Sequence, residues 1–200
     1  MFDKKASTRY PINQLLASRW SGRAYDPDKY LSGEDRIILA EAARWSPSCF
    51  GDEPWRFIFC DKSCNEKAWH KAFDCLSEGN QSWANNAPLL IIISSDTIFA
   101  HNDKPNRWGN YDTGAAAMSI CIQATEMGMM SHQMGGFSTD KTRELFNIPE
   151  RFTPMAMMTV GYQVNEDSIS EDMKERELAE RKRKPLDECF FDGEWGKGIV

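Results

Sequence analysis

The sequence predicts a single domain built from both α-helices and β-strands. Three observations lead to this prediction. The chain has 200 residues, which suits one domain, and its hydrophobic content of 41% is enough to build a core. Short apolar runs rich in β-branched residues indicate strands, and longer segments bounded by capping residues indicate helices. The chain contains no internal repeat and no sign of a second domain.

Five segments have the pattern of helices. Ser32 is a helix N-cap residue followed by two acids, and Pro47 ends the next helix because the residue before proline avoids helical dihedrals. Gly79 and Asn80 close the third helix, and Gly128 takes the C-cap position of the fourth. This fourth helix is apolar nearly all round, which predicts a core helix rather than a surface one. The predicted helices are 12–20, a second that begins after Ser32 and continues over 37–45, then 63–76, 111–127 and 139–146.

The predicted strands lie between these helices. Residues 55–60 alternate as a half-buried strand does, and 88–95 form a continuous apolar run that predicts a buried central strand. Residues 129–134 and 155–161 are the other two predicted strands, whereas 101–108 are polar and predict an exposed loop. After Val164 the chain is densely charged and holds little that can build a core. We therefore expect the core over about 11–164, and a charged segment with a C-terminal arm over 165–200.

Charge and hydropathy exclude several classes of protein. The net charge is −6, which disfavours binding to nucleic acid. The longest apolar run, 89–93, is far shorter than the roughly 20 residues of a membrane span. Residues 1–5 lack the apolar segment of a signal peptide, so we expect a cytoplasmic protein without membrane contact. Cys60 and Cys64 form only one close pair, so we expect free thiols and no metal site.

The segment Arg19-Trp20-Ser21-Gly22-Arg23 is the most informative motif. Guanidinium groups bind phosphate bidentately and a serine hydroxyl adds a hydrogen bond, so the segment could seat a phosphorylated cofactor. The alternative is a solvated helix end with cations near its C-terminus. Taken alone, the segment favours the alternative.

Two further segments suit a flat ligand. Pro47, Ser48 and Cys49 belong to a rigid loop with small residues between a helix and a strand, where a ring could approach closely. The alternative is an ordinary connection. Asn80 carries an amide that both donates and accepts, as the edge of a pyrimidine requires. Its alternative role is that of a helix C-cap.

Two more segments complete the candidate site. Gly135 and Gly136, directly after Met134, leave their backbone N–H groups open to a ligand, although they could form a plain turn. Arg181 and Arg183 point the same way in an extended segment and supply two more cations. The alternative is a basic patch for nucleic acid or membrane, which the acidic residues before it oppose.

In their order and spacing these segments resemble the FMN-dependent nitroreductase family. The resemblance extends over roughly residues 11–186. The matched motifs are 19–23, 47–48, 54–57, 80, 112–116, 128–129, 134–137, 148–150, 160–162 and 181–186.

The resemblance implies an α+β fold with a central, mainly antiparallel sheet flanked by helices. It also implies an intertwined homodimer, with the long helix at the subunit interface and FMN bound there by both chains. The C-terminal arm, 187–200, would reach across to the partner, and 188–191 could add a strand to it.

The resemblance also assigns roles to individual residues. Arg23 matches the cation near the N1/O2 edge of the flavin, and Asn80 matches the amide at the pyrimidine edge. The backbone N–H groups of Gly135 and Gly136 match the donors near N5. The phosphate and ribityl contacts match Arg19, Ser21, Arg181 and Arg183. Pro47, Ser48 and Cys49 match a loop from the other subunit, and Trp20 and Met134 complete the cofactor-binding set.

The activity implied is ping-pong hydride transfer from NADH or NADPH through flavin N5 to a nitroaromatic, a quinone or a related small acceptor. No catalytic side chain is expected, because the flavin carries the chemistry. Gly51 and Glu53 stand where many members carry asparagine and glutamine, and we expect this departure to concern the acceptor pocket more than the FMN site. Trp83 is expected where some members carry a lysine, and His132 is expected to be structural.

Three alternatives remain open at this stage. One is a relative that uses FMN for dehydrogenation, dehalogenation or ring cleavage. The second is a flavin-binding protein without enzymatic activity. The third is a nucleic-acid or membrane module that uses the basic patch 181–184, which the overall acidity of the chain opposes.

Overall fold

The computed structural model describes residues 4–200. The prediction that residues 1–5 do not belong to a signal peptide therefore lies partly outside the described residues. The strands are β1 (Trp55–Asp61), β2 (Leu89–Asp96), β3 (Met130–Met134) and β4 (Phe152–Gly161). The helices are α1 (Gln14–Ser18), α2 (Gly33–Arg44), α3 (Glu66–Cys75), α4 (Glu78–Ala84), α5 (Gly109–Glu126), α6 (Thr139–Phe146) and α7 (Glu171–Leu178).

The four strands form one open sheet in the order β1-β2-β4-β3, and every pairing is antiparallel. All eight residues of β2 are buried, which confirms the prediction of a buried central strand. β1 and β3 form the two edges of the sheet. The antiparallel sheet with flanking helices confirms the α+β fold that the resemblance implies.

Hydrophobic residues cover both faces of the sheet because side chains alternate along each strand. On one face, Leu90 and Ile92 of β2 pack with Trp69 of α3 and with residues of α4 and α6. On the other face, Ile91 packs with Leu39 of α2 and with residues of α5. The basic motif 19–23 and the glycine pair both lie close to β3, which is an edge strand.

Capping residues set several helix ends as predicted. The Ser32 hydroxyl accepts from the Asp35 N–H while the Asp35 carboxylate accepts from the Ser32 N–H, a reciprocal capping box that starts α2. Gly128, with φ of +73°, directly follows Met127 at the end of α5. Helix α6 has the predicted bounds.

The third predicted helix, 63–76, is wrong at both ends. Asn65 caps the start of α3, and Leu76 is extended at its end. The chain then starts a new helix, so that Gly79 and Asn80 lie in the first turn of α4 instead of closing α3. The cause is tertiary, since the Ser77 N–H donates to the Gly136 carbonyl at 2.9 Å and holds the break in place. The first predicted helix, 12–20, is also shorter, because Arg19 is already extended.

Helix α5 is not buried all round, which corrects the prediction of a core helix. Tyr111 is 79% exposed and Met118 is 37% exposed. These two side chains lie seven residues apart and share one face. One apolar face of α5 is therefore uncovered in the single chain.

The charged segment after Val164 contributes more to the core than predicted. Ile169 and Glu177 are buried, the second of them completely. Beyond it, residues 182–190 are exposed, and Phe191 pairs with Gly198 in an isolated bridge. Residues 188–191 form no strand within their own chain, and a strand added to a partner stays a prediction.

Across the described residues, no helix has both the length and the apolar character that crossing a membrane requires.

Candidate functional site

The two basic motifs, far apart in sequence, meet at one cavity of about 270 Å³. Seven of the described residues that line it are cationic, and Glu180 is the acid among them. Such an excess of positive charge favours a polyanionic ligand. The cavity is lined by Lys4, Arg19, Trp20, Ser21, Arg23, Arg176, Ala179, Glu180, Arg181, Lys182 and Arg183.

Arg181 fastens the C-terminal segment to the first motif. Its Nη1 donates to the carbonyls of Lys4 and Ala17, both at 2.7 Å, and its Nη2 donates to the Arg19 carbonyl at 3.0 Å. Burial, followed by the nearby charges of Arg19 and Arg183, lowers the pKa of Arg181. Arg183 is exposed at the cavity and its Nη1 donates to the Lys182 carbonyl. The carbonyls that end α1 are thereby satisfied by a side chain.

Gly22 lets the first motif lie directly against β3. A Cβ atom at Gly22 would be 2.4 Å from the Met130 sulfur and 3.0 Å from the ring of Trp20, so any side chain there would force a shift. The Gly22 carbonyl lies 3.1 Å from Nδ1 of His132. This close packing fixes the backbone of the motif while Arg19, Ser21 and Arg23 remain partly or fully exposed.

His132 is neutral in this position. Burial lowers its pKa to about 4, and the charges of Arg23 and Arg19 act in the same direction. A neutral imidazole carries one N–H, and the carbonyl opposite Nδ1 places that proton on Nδ1. His132 therefore donates to Gly22 and serves a structural role.

Trp83 lies beneath Arg23. Its indole is 4% exposed, stacks on the imidazole of His132 with ring centroids 4.6 Å apart, and has the Arg23 guanidinium carbon 5.8 Å from its centroid. Asn80 lies one turn earlier on α4, so helix α4 connects the basic motif to the glycine pair.

Asn80 and the glycine pair are in direct contact. The Asn80 Nδ2 donates to the Gly136 carbonyl at 2.9 Å, and a Cβ atom at Gly136 would be only 2.9 Å from Nδ2 and 2.7 Å from the Ser77 hydroxyl. Gly135 differs, because a Cβ atom there would meet nothing within 4 Å among the described residues. Met134, in contrast, is buried in the core. Open space thus borders the backbone at Gly135.

The loop with Pro47, Ser48 and Cys49 does not join this cluster within one chain. It precedes β1, the edge strand opposite β3, and three strand spacings of roughly 4.8 Å separate those edges. The Cys49 N–H donates to the buried Asp112 carboxylate of α5 at 2.9 Å. Phe50, on the same loop, has a φ of +58°, which is rare for a bulky residue.

The sequence did not single out Lys4 or Glu177, yet both contact the basic motif. Glu177 accepts from the Arg23 N–H at 2.8 Å, and the Lys4 Nζ donates to the Glu177 carbonyl. One sequence signal was available for Glu177. Ile169, Met173 and Glu177 are spaced four residues apart, so the glutamate falls on the apolar face of its helix.

Among residues 4–200 no three His, Cys, Asp or Glu side chains cluster in a way that could hold a metal ion. The six cysteines, all within that range, are free thiols.

Comparisons with known proteins identify the family of the chain and its fold. The model of the Nitroreductase family matches residues 16–162. A solved structure described as "the oxidoreductase containing FMN" is 32% identical, has a TM-score of 0.88, and the match covers 98% of each chain. The major NAD(P)H-flavin oxidoreductase of Aliivibrio fischeri is 29% identical over 94 residues, which are 47% of this chain and 43% of that protein. An FMN-dependent nitroreductase structure from Clostridium difficile has a TM-score of 0.63 at 24% identity, with 84% of this chain and 98% of that chain covered.

Proposed function

This chain belongs to the nitroreductase family, and we propose that it is an FMN-dependent oxidoreductase that transfers hydride from NADH or NADPH to a small acceptor. The observation that carries the proposal is the cavity where the 19–23 motif meets Arg181 and Arg183. The acceptor class we propose is nitroaromatics, quinones and related compounds.

The residues of the cavity suit the phosphate and ribityl chain of FMN. Arg19 and Arg183 present guanidinium groups to it, and Ser21 adds an exposed hydroxyl. Arginine forks bind phosphate with two parallel hydrogen bonds, which gives both affinity and orientation. Arg181 donates to three backbone carbonyls, so it also holds the other cations in position.

The residues beside the cavity suit the flavin ring. Arg23 extends over Trp83, and Asn80 is held on the Gly136 carbonyl with its side-chain oxygen left to accept. Gly135 borders open space, so a planar ring could approach its backbone closely. We assign Arg23 to the N1/O2 edge, Asn80 to the pyrimidine edge and the two glycines to the region of N5.

When bound, FMN would supply the hydride-transfer chemistry, and we propose a ping-pong order in which the nicotinamide donor leaves before the small acceptor enters. The protein holds a positive charge at Arg23, where negative charge develops on reduction. His132 is neutral and donates to Gly22, so it holds the motif and moves no proton.

We propose that the protein acts as a homodimer, because one chain holds only part of the site. Pro47, Ser48 and Cys49 lie at the far edge of the sheet and would complete the partner's site. Apolar side chains remain uncovered nearby, with Trp45, Phe50 and Tyr111 each 79% exposed. The arm 187–200 would pack on the partner, since Trp195 is 90% exposed in the single chain.

Steady-state kinetics test the proposed reaction. Initial rates with NADH or NADPH, measured at several fixed concentrations of menadione and then of a nitrobenzoate, should give parallel double-reciprocal lines. Intersecting lines would contradict the ping-pong order. A flavin-bound protein that reduces neither acceptor would favour dehydrogenation, dehalogenation, ring cleavage or a non-enzymatic role.

A further inference from the structure

Glu177 is a fully buried acid beneath the basic motif. Its side chain is 0% exposed, and its Oε1 accepts from the Arg23 N–H at 2.8 Å. Its second oxygen, Oε2, has no hydrogen-bond partner among residues 4–200. A buried carboxylate is costly unless its surroundings compensate for it, so its position calls for a physical reason.

The surroundings of Glu177 act on its carboxyl group in opposite directions, and their net effect raises its pKa. Burial is the largest effect and raises its pKa, but hydrogen bonds from the N–H groups of Arg23 and Ala24 and the charges of Arg23 and Lys4 lower it. This partial compensation comes largely from Arg23 and Lys4, which line the cavity. Glu177 therefore interacts electrostatically with cations that line the cavity, although Glu177 itself does not line it.

Further hydrogen bonds connect Glu177, through Lys4 and Arg181, to the start of the motif. The Lys4 Nζ donates to the Glu177 carbonyl, and the Lys4 carbonyl accepts from Arg181, which also binds the carbonyls of Ala17 and Arg19. The motif is thus held at its start by Arg181 and at its end by Glu177. Arg23, the last cation of the motif, has its backbone N–H held by the carboxyl group of Glu177.

We propose that Glu177 is a positioning residue for Arg23 and that its negative charge moderates the positive potential at the flavin. This inference rests on the proposed function, because it assigns Arg23 to the N1/O2 edge. It predicts two separable effects. The carboxylate fixes the backbone of Arg23 as a hydrogen-bond acceptor, and its charge opposes the cation that favours the reduced flavin.

Two substitutions separate these effects. Glu177→Gln keeps an oxygen for the Arg23 N–H but removes the charge, so the flavin midpoint potential should rise while FMN binds at least as tightly as in the wild type. Glu177→Ala removes the acceptor as well, so the affinity for FMN should fall about tenfold or more. The measurements are spectroelectrochemical titration of the holoprotein and fluorescence titration of the apoprotein with FMN.

The matched control is Glu175→Gln, which removes an exposed acid from the same helix. Its potential and FMN affinity should equal those of the wild type. An unchanged potential in Glu177→Gln, or the same shift in Glu175→Gln, would overturn the inference. If wild-type protein bound no FMN at all, the proposed function would fail first, and that result is distinct.

A measurement on the wild type keeps the inference testable if a variant does not fold. The Arg23 amide should be protected from hydrogen exchange, and its NMR shift should follow the titration of the Glu177 carboxyl group. Rapid exchange of that amide, or a shift independent of Glu177, would show that the carboxylate does not hold Arg23.

Discussion

The imidazole of His132 stacks on the indole of Trp83, with ring centroids 4.6 Å apart and an interplanar angle of 29°. The same imidazole reaches the Gly22 carbonyl. One histidine on β3 therefore connects the basic motif to α4, the helix that carries Asn80. Its neutral state is a requirement of that position, because protonation would place a charge in a buried stack beside two arginines.

This relationship predicts a pH dependence of stability. Burial lowers the pKa of His132 from 6.5 to about 4. Between these values the unfolded chain binds a proton that the folded chain does not, so the free energy of unfolding should fall as pH drops from about 6.5 to about 4. The loss should reach about 3 kcal/mol, and urea denaturation at a series of pH values measures it.

The comparison variant is His132→Asn, whose amide can still donate to Gly22. The free energy of unfolding of the wild type minus that of His132→Asn should change with pH as expected for the binding of one proton, over the pH range from about 6.5 to about 4. Gln133→Asn, an exposed neighbour on the same strand, should follow the wild type. Identical slopes in wild type and His132→Asn would show that the histidine is not held neutral.

The two glycines after β3 give a matched pair of substitutions. Gly136→Ala should destabilise the apoprotein by about 1 to 3 kcal/mol, because its methyl group would press on Ser77 and Asn80. Gly135→Ala should change apoprotein stability by no more than about 0.5 kcal/mol, since its Cβ meets open space. Thermal denaturation measures both.

The same pair tests the flavin site. If the open space at Gly135 receives the ring, Gly135→Ala should weaken FMN binding without weakening the apoprotein. Unchanged FMN affinity in Gly135→Ala would place the ring elsewhere.

The arginines of the first motif should control FMN affinity. Arg19→Ala and Arg23→Ala should each weaken binding roughly tenfold to a hundredfold, which corresponds to the loss of a charge-assisted hydrogen bond. Fluorescence quenching of FMN titrated into the apoprotein measures the affinity. Lys67→Ala removes an exposed cation of α3 and should have no effect. Equal losses in all three variants would mean that net charge alone decides binding.

The uncovered face of α5 should be a subunit interface. Met118→Asp would place a charge on that face, so the protein should sediment as one chain instead of two and should lose FMN at the same time. Lys67→Asp, on the opposite side of the sheet, should remain a dimer. A wild-type protein that sediments as one chain while binding FMN tightly would refute the two-chain site.

Local sequence patterns were sufficient for the elements whose causes are local. The apolar run 89–93 of β2 and the caps of α2 are visible in the chain because burial and capping follow residue type at fixed spacing. The break before α4 was not predictable in this way. It depends on the hydrogen bond between Ser77 and Gly136, which are far apart in the sequence.

The same distinction applies to the residues of the candidate site. The arginines and glycines were found because their chemistry and order are distinctive, and the structure brings Arg19, Ser21, Arg23, Arg181 and Arg183 to one cavity. Glu177 was missed because it lies in a run of charged residues where most side chains are exposed. Its burial follows from the way α7 packs, which composition does not reveal.

The absorbance spectrum of the purified protein, recorded before and after anaerobic addition of NADH and then of NADPH, tests the central claim most directly. We predict the bands of oxidised flavin, bleached by at least one of the two nucleotides. A colourless protein that takes up no added FMN would contradict the account, including every role assigned to the basic cavity.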